Sequence, residues 1–477
     1  MINYTEKRFA LSDSDQITPD QINDLNHFTK NLLEDLDQQI DQIPEKNEKI
    51  NLLIRSMDPS SLCRKEILSD LLVRIPALIE ELDLSDEQDH LYHLYLKKGL
   101  KDLGWTQGSQ YLEKIEDPEQ KEIAFFDCCK LLLPVFTDLL PADQDDLKKR
   151  LSNIEDQDLF EELLIDFIFL SGSPSEDSFD KKAKEFEYDF EIPHFQLEYA
   201  ARRAEYQKKE DSSFMQRTRD LLSAMDPSDE KDRVLPILWD LPFVRRTLGD
   251  SFLLEQWRNP EKPFQLIIQE LERDSSCADL AACAEDLFAN PKSGSFTDLF
   301  LLLAEIRFLI GSKDQAMDLI QKGFDFIGSI ENPLGRIRIY RDLYDLLKKM
   351  KKSKTAQRIR KDLFNTAKEV QPDDLFSLVQ QENIHLLFAR GDFEGTDELI
   401  QEIPLLKWRI PLEAEKILFT SFDPSGSSMQ EAMIKIREID DPLERATVLE
   451  DLAERSGRIF TALAERIAPE NAPNSLE

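Results

Sequence analysis

His90 and His93 stand three residues apart beside Asp86, Glu87 and Asp89. On a helix that spacing brings two imidazoles to one side, and neutral ring nitrogens with carboxylates are the ligands that hold divalent metals. The local pattern fixes no third and fourth ligand, and partly exposed surface histidines on a helix account for the pair better, with no ligand role needed. The acidic runs 83–89, 143–146 and 155–162 offer oxygen ligands. They lack the alternating donors, the glycine at position six and the glutamate at twelve that a calcium loop requires. Nucleophilic and phosphate chemistry have no carrier either: there is no G-x-S-x-G elbow, no HExxH, no Walker A loop and no glycine-rich turn after a strand. Carboxylate pairs are so abundant that only folded geometry can promote one to acid and base. Catalytic, cofactor-binding and metal-binding residues are therefore assigned as none. An all-α enzyme using clustered carboxylates with His90 or His93 is kept as an alternative.

A second kind of chemistry, ion pairing, has a clearer signal. Residues 336–361 hold eleven Lys or Arg against Asp342 and Asp345, a local +9 in a chain otherwise at −44. Arg336, Arg338, Arg341, Lys348, Lys349, Lys352, Lys354 and Arg358 are the candidate partner-binding residues. Arg338, Arg341, Lys348 and Lys352 recur at helical intervals on one face, while Ile337, Tyr340, Leu343, Leu347 and Met350 point broadly to a core. Guanidinium forks and ammonium groups pair with carboxylate or phosphate, so the face suits an acidic peptide or a partner protein. The competing reading is that these cations balance acidic neighbours within the fold. Trp105, Trp239, Trp257 and Trp408 lie near element boundaries, where large rings fill gaps between packed helices rather than form a ligand cage.

The whole chain is strongly acidic, with a net charge of −35 over 477 residues. That charge repels nucleic acid and anionic membranes at long range, which argues against generic nucleic-acid binding. RNA or another polyanion at the local basic patch is the third reading, and it would bind with a steep salt dependence. Five cysteines, Cys63, Cys128, Cys129, Cys277 and Cys283, fit neither a disulfide framework nor a C-x-x-C zinc site, so a reducing cytoplasm is the expected compartment. Residues 1–20 lack a signal-peptide apolar core, and no stretch reaches the roughly 18–20 apolar residues of a membrane span. Export without a cleaved signal is compatible with this. The sequence does not set the oligomeric state.

The elements that must position these residues are helices. Only 14 glycines and seven valines occur, which starves any sheet, while 41% of residues are hydrophobic and can fill a large core. A junction recurs in which an apolar residue ends one helical pattern and an Asp or Asn with Pro opens the next: Ile115-Glu-Asp-Pro118, Ile330-Glu-Asn-Pro333 and Ile439-Asp-Asp-Pro442. Pro suits the first helical turn and the preceding Asp or Asn caps its free N–H groups. Weaker relatives centre on Ile43, Leu82, Ile154, Ile192, Met225, Trp257, Phe288, Val370 and Ile403, giving a mean period of 36 residues from Ile43 to Ile439. Softer breaks at Gly104, Gly311, Gly391 and Ser456-Gly457 divide each period into two helices.

The frames Ala389-Arg-Gly-Asp-Phe393, leading to Leu399-Ile400 and Ile403, and Leu452-Ala-Glu-Arg-Ser-Gly457, leading to Leu463-Ala464, resemble tetratricopeptide-like helical hairpins. The W-x2-LG-x2-Y signature is absent, so the resemblance is one of period and turn chemistry over roughly residues 20–467. It implies a right-handed α-solenoid of about twelve helix-turn-helix repeats, with the first helix of each lining a concave surface. The expected organisation is a flexible segment 1–20, an array over 21–170, a linker at 171–180, a second array over 181–468 and a disordered tail 469–477. The helix before Asp41 and the segment from Arg458 to Ala468 are expected to be polar end caps. The expected function is a non-catalytic scaffold that binds a peptide or partner protein in a helical groove.

Overall fold

The computed structural model describes residues 19–57, 65–170, 190–226, 228–259, 261–274, 278–289, 296–420, 424 and 426–467. Among them the backbone is all-α, with 24 α-helices, one 3-10 segment and no strand. Two compact units are present: Met1–Lys121 together with Glu331–Glu477, and Glu122–Ile330. The residues expected to form the 171–180 linker and the 469–477 tail lie outside the described residues, as does most of 1–20. The stretches 122–170 and 190–330, on either side of that linker, belong to the same unit.

The chain begins with α1 (Pro19–Ile40), α2 (Lys46–Arg55), α3 (Lys65–Ile79), α4 (Ser85–Leu103), α5 (Trp105–Leu112) and α6 (Pro118–Leu132). After a 3-10 segment (Leu133–Asp138) come α7 (Pro141–Leu151), α8 (Gln157–Leu170), α9 (Pro193–Gln207), α10 (Ser213–Ala224), α11 (Asp229–Asp240), α12 (Pro242–Leu248) and α13 (Asp250–Leu254). The middle closes with α14 (Glu261–Arg273), α15 (Ala278–Ala289), α16 (Phe296–Leu309) and α17 (Lys313–Ile327). The last stretch is α18 (Pro333–Lys349), α19 (Ser353–Ala367), α20 (Asp373–Ala389), α21 (Thr396–Gln401), α22 (Leu406–Thr420), α23 (Ser427–Arg437) and α24 (Pro442–Ile467).

The junction residues fall where the sequence places them. Eleven of the twelve lie between helices or directly ahead of one; Phe288 sits inside the last turn of α15. Ile43, Ile115, Val370, Ile403 and Ile439 are buried there, so each break is anchored by an apolar side chain. Asn332 caps α18 by accepting from Leu334 N at 3.0 Å, and Asp441 does the same for Leu443 N at 3.0 Å. Gly104, Gly311 and Gly391 take positive φ (71°, 85° and 67°), the region that favours glycine, and each closes a helix or follows its end.

Self-capping is only half of the junction chemistry. A carboxylate from an earlier helix reaches across to the backbone amides that open a later one. Asp89 of α4 accepts from Glu116 N (2.9 Å) and Asp117 N (2.8 Å), the two amides after Ile115. Glu122 of α6 does so for Glu155 N (2.9 Å) and Asp156 N (3.3 Å), the two after Ile154. Glu161 of α8 takes Glu191 N (2.8 Å) and Ile192 N (3.1 Å), and Glu205 of α9 takes Phe243 N (2.7 Å) and Val244 N (3.1 Å). Asp232 of α11 accepts from Arg258 N at 3.0 Å, directly after Trp257. Asp89 and Glu161 are themselves buried, which strengthens these bonds and makes their loss costly.

The sequence-based break at Ser456-Gly457 is not present: α24 runs unbroken from Pro442 to Ile467. Packing overrides the glycine, whose mid-helix cost is only about 1 kcal/mol. Helix α1 lies along α24 within the first unit, with Thr29 Oγ1 donating to Ser456 Oγ at 3.0 Å and Arg445 Nη1 to Gln39 Oε1 at 2.8 Å. Leu25, Leu32, Leu33, Leu36 and Ile40 form the buried stripe of α1, and Leu449, Leu452 and Ala453 part of that of α24. The helix expected as an N-terminal polar cap thus has α24 as its packing partner. Each fully buried leucine there contributes about 1.5–3 kcal/mol, far more than a polar end would.

In the second unit, Leu197, Ala201, Trp239, Val244, Phe264 and Ile306 belong to one continuous core, with a smaller cluster around Leu164, Ile168 and Phe195. Trp239 also receives the Arg245 guanidinium over its ring at 3.7 Å, a packing role rather than a ligand cage.

The bridging carboxylates make a direct prediction. Asp89→Ala should lower unfolding free energy by about 1.5–3 kcal/mol, because two charge-assisted bonds are lost and two part-buried amides are left bare. Urea denaturation of the intact chain measures this. A change within 0.5 kcal/mol would show that the bridge is dispensable.

Candidate partner-binding surface

Helices α18 and α19 form a hairpin, and the basic segment 336–361 runs through it. Helix α18 buries Ile337, Ile339, Leu343, Tyr344, Leu346 and Leu347, as the apolar spacing requires. After its last residue, Lys349, the chain reverses through Lys351, a non-glycine residue with φ of 59°, and Lys352 N donates back to Leu347 O at 2.9 Å. Helix α19 then starts at Ser353.

The cations of this segment divide into two groups. Those on α18 are engaged by other groups of the chain, most of them acidic. Arg341 Nε donates to Asn383 Oδ1 at 2.6 Å and Nη2 to Val379 O at 3.0 Å, while Nη1 pairs with Glu382. Arg336 pairs with Glu369, and Lys349 lies 3.9 Å from Asp345, which also binds Arg390. Lys348 Nζ is 3.4 Å from Asp392 Oδ2. Arg338 is exposed yet engaged in contacts of its own.

Asp392 is the centre of this inner network. Buried in the loop after α20, it accepts from Tyr344 Oη at 2.7 Å and from Arg360 Nη1 at 3.0 Å, and Arg360 continues to the carbonyl of Glu394. Burial first, and then the Asp392 carboxylate, push the Tyr344 phenol well above its ordinary range, so it stays a donor. Sequence reasoning identified Asp392 only as part of a turn. The available signal was its distance of 32 residues from Arg360, near the mean spacing of the junctions.

The outer group is different. Lys351, Lys352, Lys354, Arg358 and Lys361 are all exposed. None of the five has an ion pair among the described residues. Lys354, Arg358 and Lys361, spaced by four and three, occupy one face of α19, and the helix N-terminus adds its partial positive charge. Of the candidate residues, then, Arg336, Arg341, Lys348 and Lys349 are held by internal acids. Lys352, Lys354 and Arg358 face outward, joined by Lys351 and Lys361.

No protein-family model and no curated protein matches this chain.

The other sequence-selected groups do not converge. His90 is exposed and His93 half-buried, while Asp89 is committed to its two backbone amides. Among the described residues, no three His, Cys, Asp or Glu come together in a geometry suited to a metal ion. Cys128, Cys129 and Cys283 are free thiols; burial pushes Cys128 up to about 12, which removes its nucleophilic form near neutrality. No helix among the described residues is long and apolar enough to cross a membrane.

One charged cluster was not legible in the sequence. Glu415 of α22 is buried with its Oε2 3.0 Å from His385 Nε2 of α20, and it pairs with Arg455 of α24. Arg455 Nη1 also lies 2.6 Å from His385 Nε2, and its Nη2 reaches Asp451 at 2.9 Å. Burial alone would raise the Glu415 carboxyl, but the Arg455 guanidinium and His385 override it and hold it near 2. The cluster ties three helices; Glu415 is too enclosed to meet a substrate.

Two outcomes are expected. Arg341→Glu should destabilise the chain by about 1.5–3 kcal/mol, by opposing Glu382 and baring Asn383, whereas Arg358→Glu should change stability by less than about 0.5 kcal/mol. Equal effects in a thermal melt would refute the inner and outer division. The Glu415 carboxyl lies below its ordinary 4.5 in the folded chain, so its stabilisation is complete above about pH 4.5 and drains away as pH falls toward 2. Glu415→Gln should lower stability at pH 7 by about 3 kcal/mol and flatten the decline between pH 4.5 and 2, as read by urea titration across pH.

Proposed function

We propose that this protein is a non-catalytic interaction scaffold of tetratricopeptide-like helical hairpins, and that it holds an acidic segment of a partner protein. The observation that carries the reading is the outward ridge on α19. In a chain of net charge −35, five exposed cations, Lys351 and Lys352 ahead of α19 and Lys354, Arg358 and Lys361 on it, make no ion pair among the described residues, next to a helix whose cations are all engaged. Such a ridge attracts carboxylates, and Lys354, Arg358 and Lys361 present them with one face roughly 10 Å long. Free thiols at Cys128, Cys129 and Cys283 are consistent with a reducing compartment. The abundance of acids elsewhere on the chain disfavours a long polyanion, which would meet repulsion beyond the ridge.

The test is calorimetric titration of the intact chain with a glutamate-rich 12-residue peptide and, separately, with a single-stranded oligonucleotide of equal charge. The peptide should bind, and Lys354→Glu/Arg358→Glu/Lys361→Glu should weaken it at least tenfold with the melting temperature unchanged. Equal binding by wild type and triple variant would remove the ridge from the function. Tighter binding of the oligonucleotide, falling steeply with salt, would replace the peptide reading with a polyanion one.

A further inference from the structure

We infer that the cleft between α1 and α23 is a second docking site, a groove that receives a cation-bearing amphipathic helix from a partner protein. Both helices lie against α24, and between them they leave a cavity of about 550 Å³. Its walls are apolar where they are deep: Phe28 and Leu32 from α1, Met429 and Met433 from α23, and Pro424. Ile434 stands on the lip with 56% of its surface exposed, a β-branched apolar side chain presented to water. Methionine side chains adapt their shape to the apolar face that meets them, which suits a protein ligand better than a rigid small molecule.

The groove has the dimensions of a helix. Its lining on α1 runs Asp24, Phe28, Asn31, Asp35, one residue per turn over roughly 16 Å, and on α23 it runs Met429, Met433, Arg437. Three turns of an incoming helix match that length, with apolar anchors at i, i+4 and i+7 filling the floor.

Charge selects the occupant. Asp24 is exposed and makes no ion pair among the described residues. Asp35 has Arg437 at 3.9 Å, the outer limit of a pair, and that arginine is 72% exposed. The α1 edge thus offers carboxylates to Lys or Arg flanking the apolar face of a bound helix, and an acidic helix would be repelled there. This preference is opposite to that of the α19 ridge. The inference shares with the scaffold reading only the premise that the chain binds other proteins.

Fluorescence anisotropy with two labelled 16-residue helical peptides tests it. Both carry leucine at i, i+4, i+7 and i+11; one has lysine at its flanking positions and the other glutamate. The lysine peptide should bind the intact chain, and the glutamate peptide at least tenfold more weakly. Ile434→Asp should weaken the lysine peptide at least tenfold while helical circular dichroism is kept. Unspecific attraction to an acidic protein would instead grow with that added charge. Asp24→Lys/Asp35→Lys should reverse the peptide preference, and the α19 triple variant should leave groove binding unchanged, so failure here and failure of the ridge are separable. Equal binding by wild type and Ile434→Asp would overturn the inference. So would a dimer, seen by sedimentation of the chain alone and dissolved by Ile434→Asp, because the occupant would then be a second copy.

Discussion

A carboxylate that accepts from the backbone amides at the start of a later helix is the interaction on which this fold depends. Every helix begins with N–H groups that have no partner inside it, and an all-α chain with short junctions multiplies that debt. Local Asp and Asn caps answer part of it, at Asn332 and Asp441. The rest is answered from a distance, by Asp89, Glu122, Glu161, Glu205 and Asp232. These residues join one helix to the start of a later one through bonds that exist only when both are folded and correctly spaced. Apolar burial has no such register, so the carboxylates supply specificity that Leu and Ile packing lacks.

The same device bears on the acidity of the chain. Part of the excess of Asp and Glu is structural: a buried carboxylate on two amides is a connector, and its charge is compensated by backbone dipoles rather than by lysine. Cations are then placed where a carboxylate is exposed or shared, as in the Asp392 network that gathers Tyr344, Lys348 and Arg360. Against that economy, Lys354, Arg358 and Lys361 of α19 and Asp24 of α1 are departures, with no ion pair among the described residues, and they lie on different helices with opposite signs. The described surface thereby carries local excesses of either sign, although the net charge is strongly negative.

Much of this was legible in residues. The Pro and Asp junctions at Ile115, Ile330 and Ile439 are local chemistry, and local chemistry is what a sequence displays directly. The apolar face of α18 was legible for the same reason, as Ile337, Leu343 and Leu347 show. What escaped was long-range. Nothing near Arg341 announces that Glu382 and Asn383 will receive it, and the pairing of Glu415 with Arg455 joins residues 40 apart on helices separated by a further one. At Gly457 a local rule gave the wrong answer, because α1 packs on that helix from the far end of the sequence. The basic segment was correctly seen as unusual. Which of its members are internal was decided by acids one hairpin away, and helical periodicity along a single helix does not carry that information.

The pairing of α1 with α24 has a consequence for synthesis. Thr29 and Ser456 are 427 residues apart, so at roughly 5–20 residues per second α1 is made some 20–85 seconds before its partner leaves the ribosome. Through that interval the leucine stripe of α1 lacks the cover that α24 provides, and the first unit stays unfinished. The contact between α1 and α24 is therefore a late event of synthesis, and loss of α24 would uncover the face of α1 that it covers.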